Sequence, residues 1–330
     1  MIPFSPPLLQ VRDLVVEFAL GNPLLSLLTG RRRLRAVDQV SFSLEQGQVL
    51  GIVGESGSGK TTVGKTVLRL GAPTSGEILI RGQDIASLSP RALKPLRRSM
   101  QMVFQDPLSS LNPRHSVRAS LAAPLKVHRA CRPGEIDGRV DAMLSRVGLP
   151  RHFRTRFPHE LSGGQLQRVA IGRALMLQPS FIVADEAVSK LDVSVRAQIL
   201  NLFKDLQESL SLSILFITHD LHVARFLCQR IIVMYFGQLV EEGPADALFR
   251  APRHPYTIAL LGTLDHPRAD AAFAGEAPDQ IGGVGCQYYG RCAYREDRCA
   301  IRKPPLEETD ARHSVACFAW PRVAAERKSA

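Results

Sequence analysis

An α/β fold built on a largely parallel sheet, with helices on both faces, is predicted by three observations. Apolar strands run into a glycine-rich turn at Gly54 to Thr61 and into an acidic pair at Asp185-Glu186. Strand-like and helix-like periodicities alternate along the chain between them, the pattern a parallel sheet with crossover helices requires. Beyond Arg250 the composition shifts towards Pro, Gly, Ala and Cys, which sets off a short tail from about Ala251.

The elements follow in order. Leu8 to Phe18 mixes Val, Leu and Phe with polar residues and reads as an edge strand, closed by the Gly21-Asn22-Pro23 break. Val37 to Leu44 alternates Val40, Phe42 and Leu44 with polar neighbours, as a half-buried strand does. Gln48 to Val53 is a buried strand feeding a glycine-rich turn and a helix that starts near Lys60. Between Ser116 and Leu149 the pattern turns helical, with Val140, Met143, Leu144 and Val147 on one apolar face; this predicts a helical insert over about 106–165. Leu166, Val169, Ala170, Ala174 and Leu175 mark another helix face ending before Pro179. Two short strands, Phe181 to Ala184 and Ile214 to Thr218, flank a helix over Val195 to Leu210.

Composition bounds the function. The 330 residues suffice for one large domain, 1–250, and a smaller appendage, 251–330. No apolar run approaches the roughly 20 residues a membrane-spanning helix needs. The proline-broken start, without a charged and then apolar leader, predicts a cytoplasmic chain. A net charge of +11 suits an anionic partner, nucleic acid or the inner face of a membrane, without choosing between them. The densest basic stretch, Arg31 to Arg35, reads as a solvated loop before a strand.

Gly54-Glu55-Ser56-Gly57-Ser58-Gly59-Lys60-Thr61 fits the G-x-x-x-x-G-K-[ST] pattern, in which glycines let backbone N–H groups wrap phosphates at a helix N-terminus. Lys60 neutralises the β- and γ-phosphates, Thr61 offers a hydroxyl to Mg²⁺, and Thr62 extends the nucleotide-binding stretch. Asp185 is the second Mg²⁺ candidate, and Glu186 the general base that polarises the attacking water. His219, at the end of the following strand, is placed for the γ-phosphate. Gln105 lies between a strand and the helical insert, where it can report Mg²⁺ occupancy to a mobile segment. Leu161-Ser162-Gly163-Gly164-Gln165 opens a helix with small residues and forms a second anion site. Four tail cysteines, Cys286, Cys292, Cys299 and Cys317, have spacings compatible with zinc, with an iron-sulfur cluster or with free thiols.

Six motifs in this order resemble the nucleotide-binding subunits of ATP-binding-cassette (ABC) transporters, over roughly Leu8 to Arg250. The resemblance implies a P-loop NTPase cassette: a RecA-like parallel core, an antiparallel β edge and a helical insert. It also implies that two cassettes pack head to tail, so that Leu161 to Gln165 act on ATP held by the partner, with Asp192 in the dimer loop. Phe18 takes the position of the aromatic that stacks on adenine. Val53 to Gly57, Phe104 to Pro107, Leu111 to Arg114 and His254-Pro255-Tyr256-Thr257 are similar to importers of oligopeptides, dipeptides and nickel. That subgroup implies a different second ATPase as partner, two membrane permease subunits, an external solute-binding protein and a place on the cytoplasmic face of the inner membrane. It implies no nucleic acid, and it favours a [4Fe-4S] cluster over zinc in the tail. Peptide is the expected cargo. Asp185-Glu186-Ala187, where Pro is usual, keeps a nickel chelate as the alternative, with a soluble ATPase acting on nucleic acid or ribosomes behind it. Lys190 stands where Ala is usual, near the expected dimer seam.

Overall fold

The computed structural model describes residues 6–19, 33–265, 284–310 and 312–329. Arg31 and Arg32 of the basic stretch lie outside them. Among the described residues the strands are, in chain order, β1 (Leu9–Ala19), β2 (Arg33–Leu44), β3 (Val49–Val53), β4 (Ser75–Ile80), β5 (Gln83–Asp84), β6 (Met100–Val103), β7 (Phe181–Asp185), β8 (Ser213–Thr218), β9 (Arg230–Tyr235), β10 (Gln238–Pro244), β11 (Glu307–Asp310) and β12 (His313–Val315). The described residues divide into two compact units, one from those within 1–44, 50–87 and 218–330, the other from 45–49 and 88–217.

In the first unit an antiparallel sheet runs in the order β2-β1-β4-β5. Its register sets Leu9 opposite both Leu44 and Ile80, and the alternating residues Val11, Leu14, Val37, Val40 and Ile78 are buried on one face. Arg33 and Arg35 lie within β2 rather than in a loop. They pair with Glu17 at 3.2 and 3.0 Å, and Arg35 also reaches Asp38. Beside this sheet, β3 pairs in parallel with β9, matching Gly51 to Ile231 and Val53 to Val233. β9 turns back as β10 through Phe236 and Gly237, both at positive φ as a two-residue hairpin turn demands.

The tail adds to this edge. β12 pairs with β10, setting Val315 opposite Glu241, and β11 pairs with β12. Lys303 reaches the buried Asp38 at 3.1 Å. Burial alone would raise the Asp38 carboxyl, but bonds from Gln238, Lys303 and Arg35 outweigh it and hold its pKa low.

In the second unit β6, β7 and β8 are parallel, with Met102 matched to Val183 and Val183 to Leu215. Every residue of β7 and β8 is buried, which explains the apolar runs Phe181 to Ala184 and Ile214 to Ile217 within them. The insert contains helices at Val117–Val127 and Ile136–Arg146, and Val140, Met143, Leu144 and Val147 are all buried as their spacing predicts. Gly172, in the helix Gly163–Leu175, lets that helix approach Met143, Leu121 and Val147; a Cβ there would sit 3.3–3.5 Å from each. No helix among the described residues is long and apolar enough to cross a membrane.

Candidate functional site

The glycine-rich turn leaves β3 and enters a helix at Lys60–Val67. Two of its glycines are sterically required. A Cβ on Gly54 would collide with the Met234 carbonyl oxygen, and one on Gly59, at φ 96°, with the Ala36 carbonyl oxygen. The loop is further fixed by Gly237 N donating to Ser58 O at 3.0 Å. Lys60 is 4% exposed. Its ammonium donates to Gly54 O at 2.8 Å, Glu55 O at 2.6 Å and Ser58 Oγ at 3.2 Å, so the positive charge is held inside the turn. Gly59 caps the helix with no side chain, and Thr61 and Thr62 stand half-buried in its first turn. Ammonium, helix dipole and first-turn amides therefore point to an anion. Phe18, near the end of β1, is 50% exposed and presents a ring able to stack. His219, just past β8, is exposed, and the next residue, Asp220, caps the helix Leu221–Leu227 by accepting from His222 N and Val223 N.

The second unit carries the carboxylates. Asp185 is the buried last residue of β7, and Glu186 follows at φ 45°, a left-handed conformation that a non-glycine residue adopts at a cost of about 1 kcal/mol or more. Glu186 N donates to Ile217 O at 2.9 Å, which holds the strained residue at the sheet end. Gln105 Nε2 donates to Glu186 Oε2 at 2.7 Å. Sequence reasoning gave these two side chains separate roles; the structure brings them together. Residues 81 positions apart leave no sequence signal for that bond.

Ser162 caps the helix Gly163–Leu175 in a reciprocal pair: Gln165 N donates to Ser162 Oγ at 3.4 Å and Ser162 N to Gln165 Oε1 at 3.0 Å. The S-x-x-Q spacing signals such a capping box, so this use of Gln165 was readable. Leu161 is half-buried, Ser162 and Gly163 are exposed, and a Cβ on Gly164 would press on Val195. Asp192 precedes the helix Val193–Leu210, is exposed, and makes no side-chain capping bond to it. Lys190 is exposed as well.

Three features escaped sequence reasoning. Tyr256 Oη accepts from Glu55 N at 2.9 Å, and Arg291 Nη1 lies 3.5 Å from Glu55 Oε2. The His254-Pro255-Tyr256 turn is in turn held by Glu241, which is fully buried and accepts from Arg253 N at 2.7 Å, His254 N at 3.0 Å and His313 Nε2 at 2.7 Å. The motif at 254–257 was visible in the sequence, but nothing there announced its contact with Glu55.

All six cysteines are unpaired. Burial, together with the neighbouring cysteines, pushes the Cys286 and Cys317 thiols up to about 11 and about 12. Among the described residues no group of three His, Cys, Asp or Glu is placed to hold a metal ion. The four tail thiols are thus near enough to repel one another as thiolates, yet they are not drawn into a ligand set.

The ABC transporter family model matches residues 37–189, and that of the oligopeptide/dipeptide transporter C-terminal region matches 240–299. Over 322 residues the chain is 44% identical to the oligopeptide transport ATP-binding protein AppF of Bacillus subtilis, covering 95% of this chain and 97% of that one. It superposes on the dimeric, post-hydrolysis structure of the ATP-binding cassette MJ0796 bound to ADP and Pi with a TM-score of 0.64 at 30% identity, covering 72% of this chain and 98% of that one. It also resembles cbiO1 of Clostridium perfringens, part of the ABC transporter complex cbiONQ, with a TM-score of 0.64 at 28% identity over 79% and 96% of the two chains.

Proposed function

Because the chain belongs to the ATP-binding subunits of ABC transporters, we propose that it binds Mg-ATP on the loop Gly54 to Thr62 and couples its hydrolysis to peptide import. Lys60 meets the β- and γ-phosphates, Phe18 stacks on adenine, and Thr61, Asp185 and Gln105 hold Mg²⁺ directly or through water. Glu186 is the base for the attacking water, and His219 contacts the γ-phosphate. Leu161 to Gln165 act on nucleotide held by a second ATPase, across a seam that includes Asp192. In this division 1–250 is the motor domain and 251–330 its transporter-type extension.

The observation that carries this reading is the 2.7 Å bond from Gln105 to Glu186. It attaches the proposed base to the residue that opens the helical insert, so that what happens at the phosphate alters the insert. A depression of about 700 Å³ on the insert, lined by Arg114, His152, Arg156, Phe157 and His159, supports docking of the membrane permeases there. The assembly follows: a paired, non-identical ATPase, two permeases and an external solute-binding protein, with this chain on the cytoplasmic face of the membrane. Peptide is the preferred cargo, and a nickel chelate is the alternative that Ala187 keeps open.

The tail cysteines are the residues that would hold a [4Fe-4S] cluster, or zinc. Support comes from their number and their shared neighbourhood, in which Cys286 and Cys317 each feel the other tail cysteines. Their present placement is not a ligand set, and no step of hydrolysis is routed through them.

The proposal is tested with Lys60→Ala and Glu186→Gln in the assembled transporter. Lys60→Ala is expected to weaken ATP binding. Glu186→Gln keeps an acceptor for Gln105 and is expected to bind ATP normally while losing roughly 10²–10⁴-fold in turnover, the range of a missing general base. Normal phosphate release by Glu186→Gln would remove that carboxylate from the mechanism.

A further inference from the structure

We infer that Tyr256 is a positioning residue for Lys60, acting through the Gly54–Glu55 peptide, and that Arg291 secures the same loop residue from the tail. The inference rests on the reading that Gly54 to Thr62 hold the triphosphate.

The geometry is a relay across one peptide plane. No peptide bond among the described residues is cis, so the Gly54 carbonyl and the Glu55 N–H point in opposite directions. The N–H donates to Tyr256 Oη at 2.9 Å, and the carbonyl on the other side accepts from Lys60 Nζ at 2.8 Å. Rotating the plane to release one bond breaks the other. The Glu55 carbonyl, at 2.6 Å from Lys60, follows the same backbone. Tyr256 thereby fixes which acceptors hold the ammonium, and so where its charge stands when phosphate oxygens compete for it.

Tyr256 is itself rigid. It is 0% exposed, with ring centroids 4.6 Å from Tyr235 and 5.5 Å from Tyr288. Its own N–H donates to His254 Nδ1 at 3.0 Å. Burial, reinforced by the Glu55 charge, pushes the phenol above its ordinary range, which keeps the hydroxyl protonated and neutral. Arg291 stands on the turn between Cys286 and Cys292 that also carries Tyr288, where Tyr289 N donates to Cys286 O and Arg291 N to Tyr288 O. The 251–330 region thus enters the nucleotide site at two points on one residue.

The test measures equilibrium binding of a fluorescent ATP analogue with Mg²⁺, with ATP as competitor, to the full chain. The proteins are wild type, Tyr256→Phe, Lys60→Ala and the double variant. Tyr256→Phe deletes only the hydroxyl and keeps the packed ring. It is expected to raise the Kd for ATP by roughly three- to tenfold, the worth of one buried hydrogen bond. In the transporter KM should rise while kcat changes less than about twofold. In the Lys60→Ala background the same substitution is expected to have no further effect, because its route to the phosphate is gone. Equal Kd for wild type and Tyr256→Phe would overturn the inference, and so would an equal loss in both backgrounds. If wild type itself does not bind, the reading of the loop fails instead. Should Tyr256→Phe melt early, Arg291→Gln decides, with an expected two- to threefold rise in Kd and an unchanged melting temperature; an unchanged Kd overturns the inference.

Discussion

Replacing Glu241 by Gln tests whether the tail and the 254–257 turn are held by one buried carboxylate. Glu241 is completely enclosed, and three donors converge on it: Arg253 N and His313 Nε2 on Oε1, and His254 N on Oε2. A glutamine of the same size keeps one oxygen but replaces the other by an amide nitrogen. If the oxygen takes the Oε1 place, the new donor faces the His254 N–H, and neither has an acceptor. The two buried unsatisfied donors cost about 1–3 kcal/mol each, and turning two charge-assisted bonds into neutral ones removes about 1 kcal/mol more. The relief of burying one charge fewer offsets part of this, leaving a net loss of about 2–4 kcal/mol. At 2–4 °C per kcal/mol the melting temperature of the full chain falls by roughly 4–16 °C. Circular-dichroism melts and urea titrations at pH 7.5 measure it. A fall under about 2 °C, or a rise, would show that the three donors find other partners and that the carboxylate is not the fastening point.

Two further outcomes are expected. Burial pushes the His254 imidazole down to about 4, well below its ordinary 6.5, so the native state excludes a proton that the unfolded chain accepts between those values. Stability is therefore undiminished above about pH 6.5 and falls towards pH 4 by on the order of 3 kcal/mol in total. In urea titrations the gap between wild type and His254→Asn should narrow as pH drops from 7.5 to 5; parallel curves would remove His254 from the acid sensitivity. For the tail, anaerobic purification of the full chain is expected to give stoichiometric iron and sulfide with a visible band bleached by dithionite, both reduced in Cys292→Ser. Zinc without a visible band would decide for zinc, and neither metal would leave four thiols.

What could be read from the sequence and what could not divides by distance along the chain. The phosphate loop is written in eight consecutive residues because its function, wrapping an anion with backbone amides, is formed by consecutive residues. The capping pair Ser162–Gln165 and the buried face of Val140, Met143, Leu144 and Val147 are likewise local geometry, three to seven residues deep. Strands β11 and β12 left no such trace. Glu307–Asp310 is polar throughout and His313–Val315 is three residues long, so neither alternates; pairing of β12 with β10, and of β11 with β12, makes them strands.

The Glu55–Tyr256 bond spans 201 positions, Gln105–Glu186 spans 81, and Glu241–His313 spans 72. No periodicity encodes such pairs. The first joins the readable phosphate loop to a residue whose role was not readable, the second joins two residues that were each readable without the bond between them, and the third joins two residues that no motif marked. On the proposed mechanism, Glu186 reaches the insert through its bond from Gln105. Lys60, on the inference drawn above, offers its charge at a fixed place because the peptide beneath it is held by Tyr256, which lies in the region whose composition had marked it as an appendage. On the proposal that Gly54 to Thr62 hold the triphosphate, the tail serves that loop through Tyr256 and Arg291 as well as the sheet edge it extends, and removing it should be felt first at the phosphates.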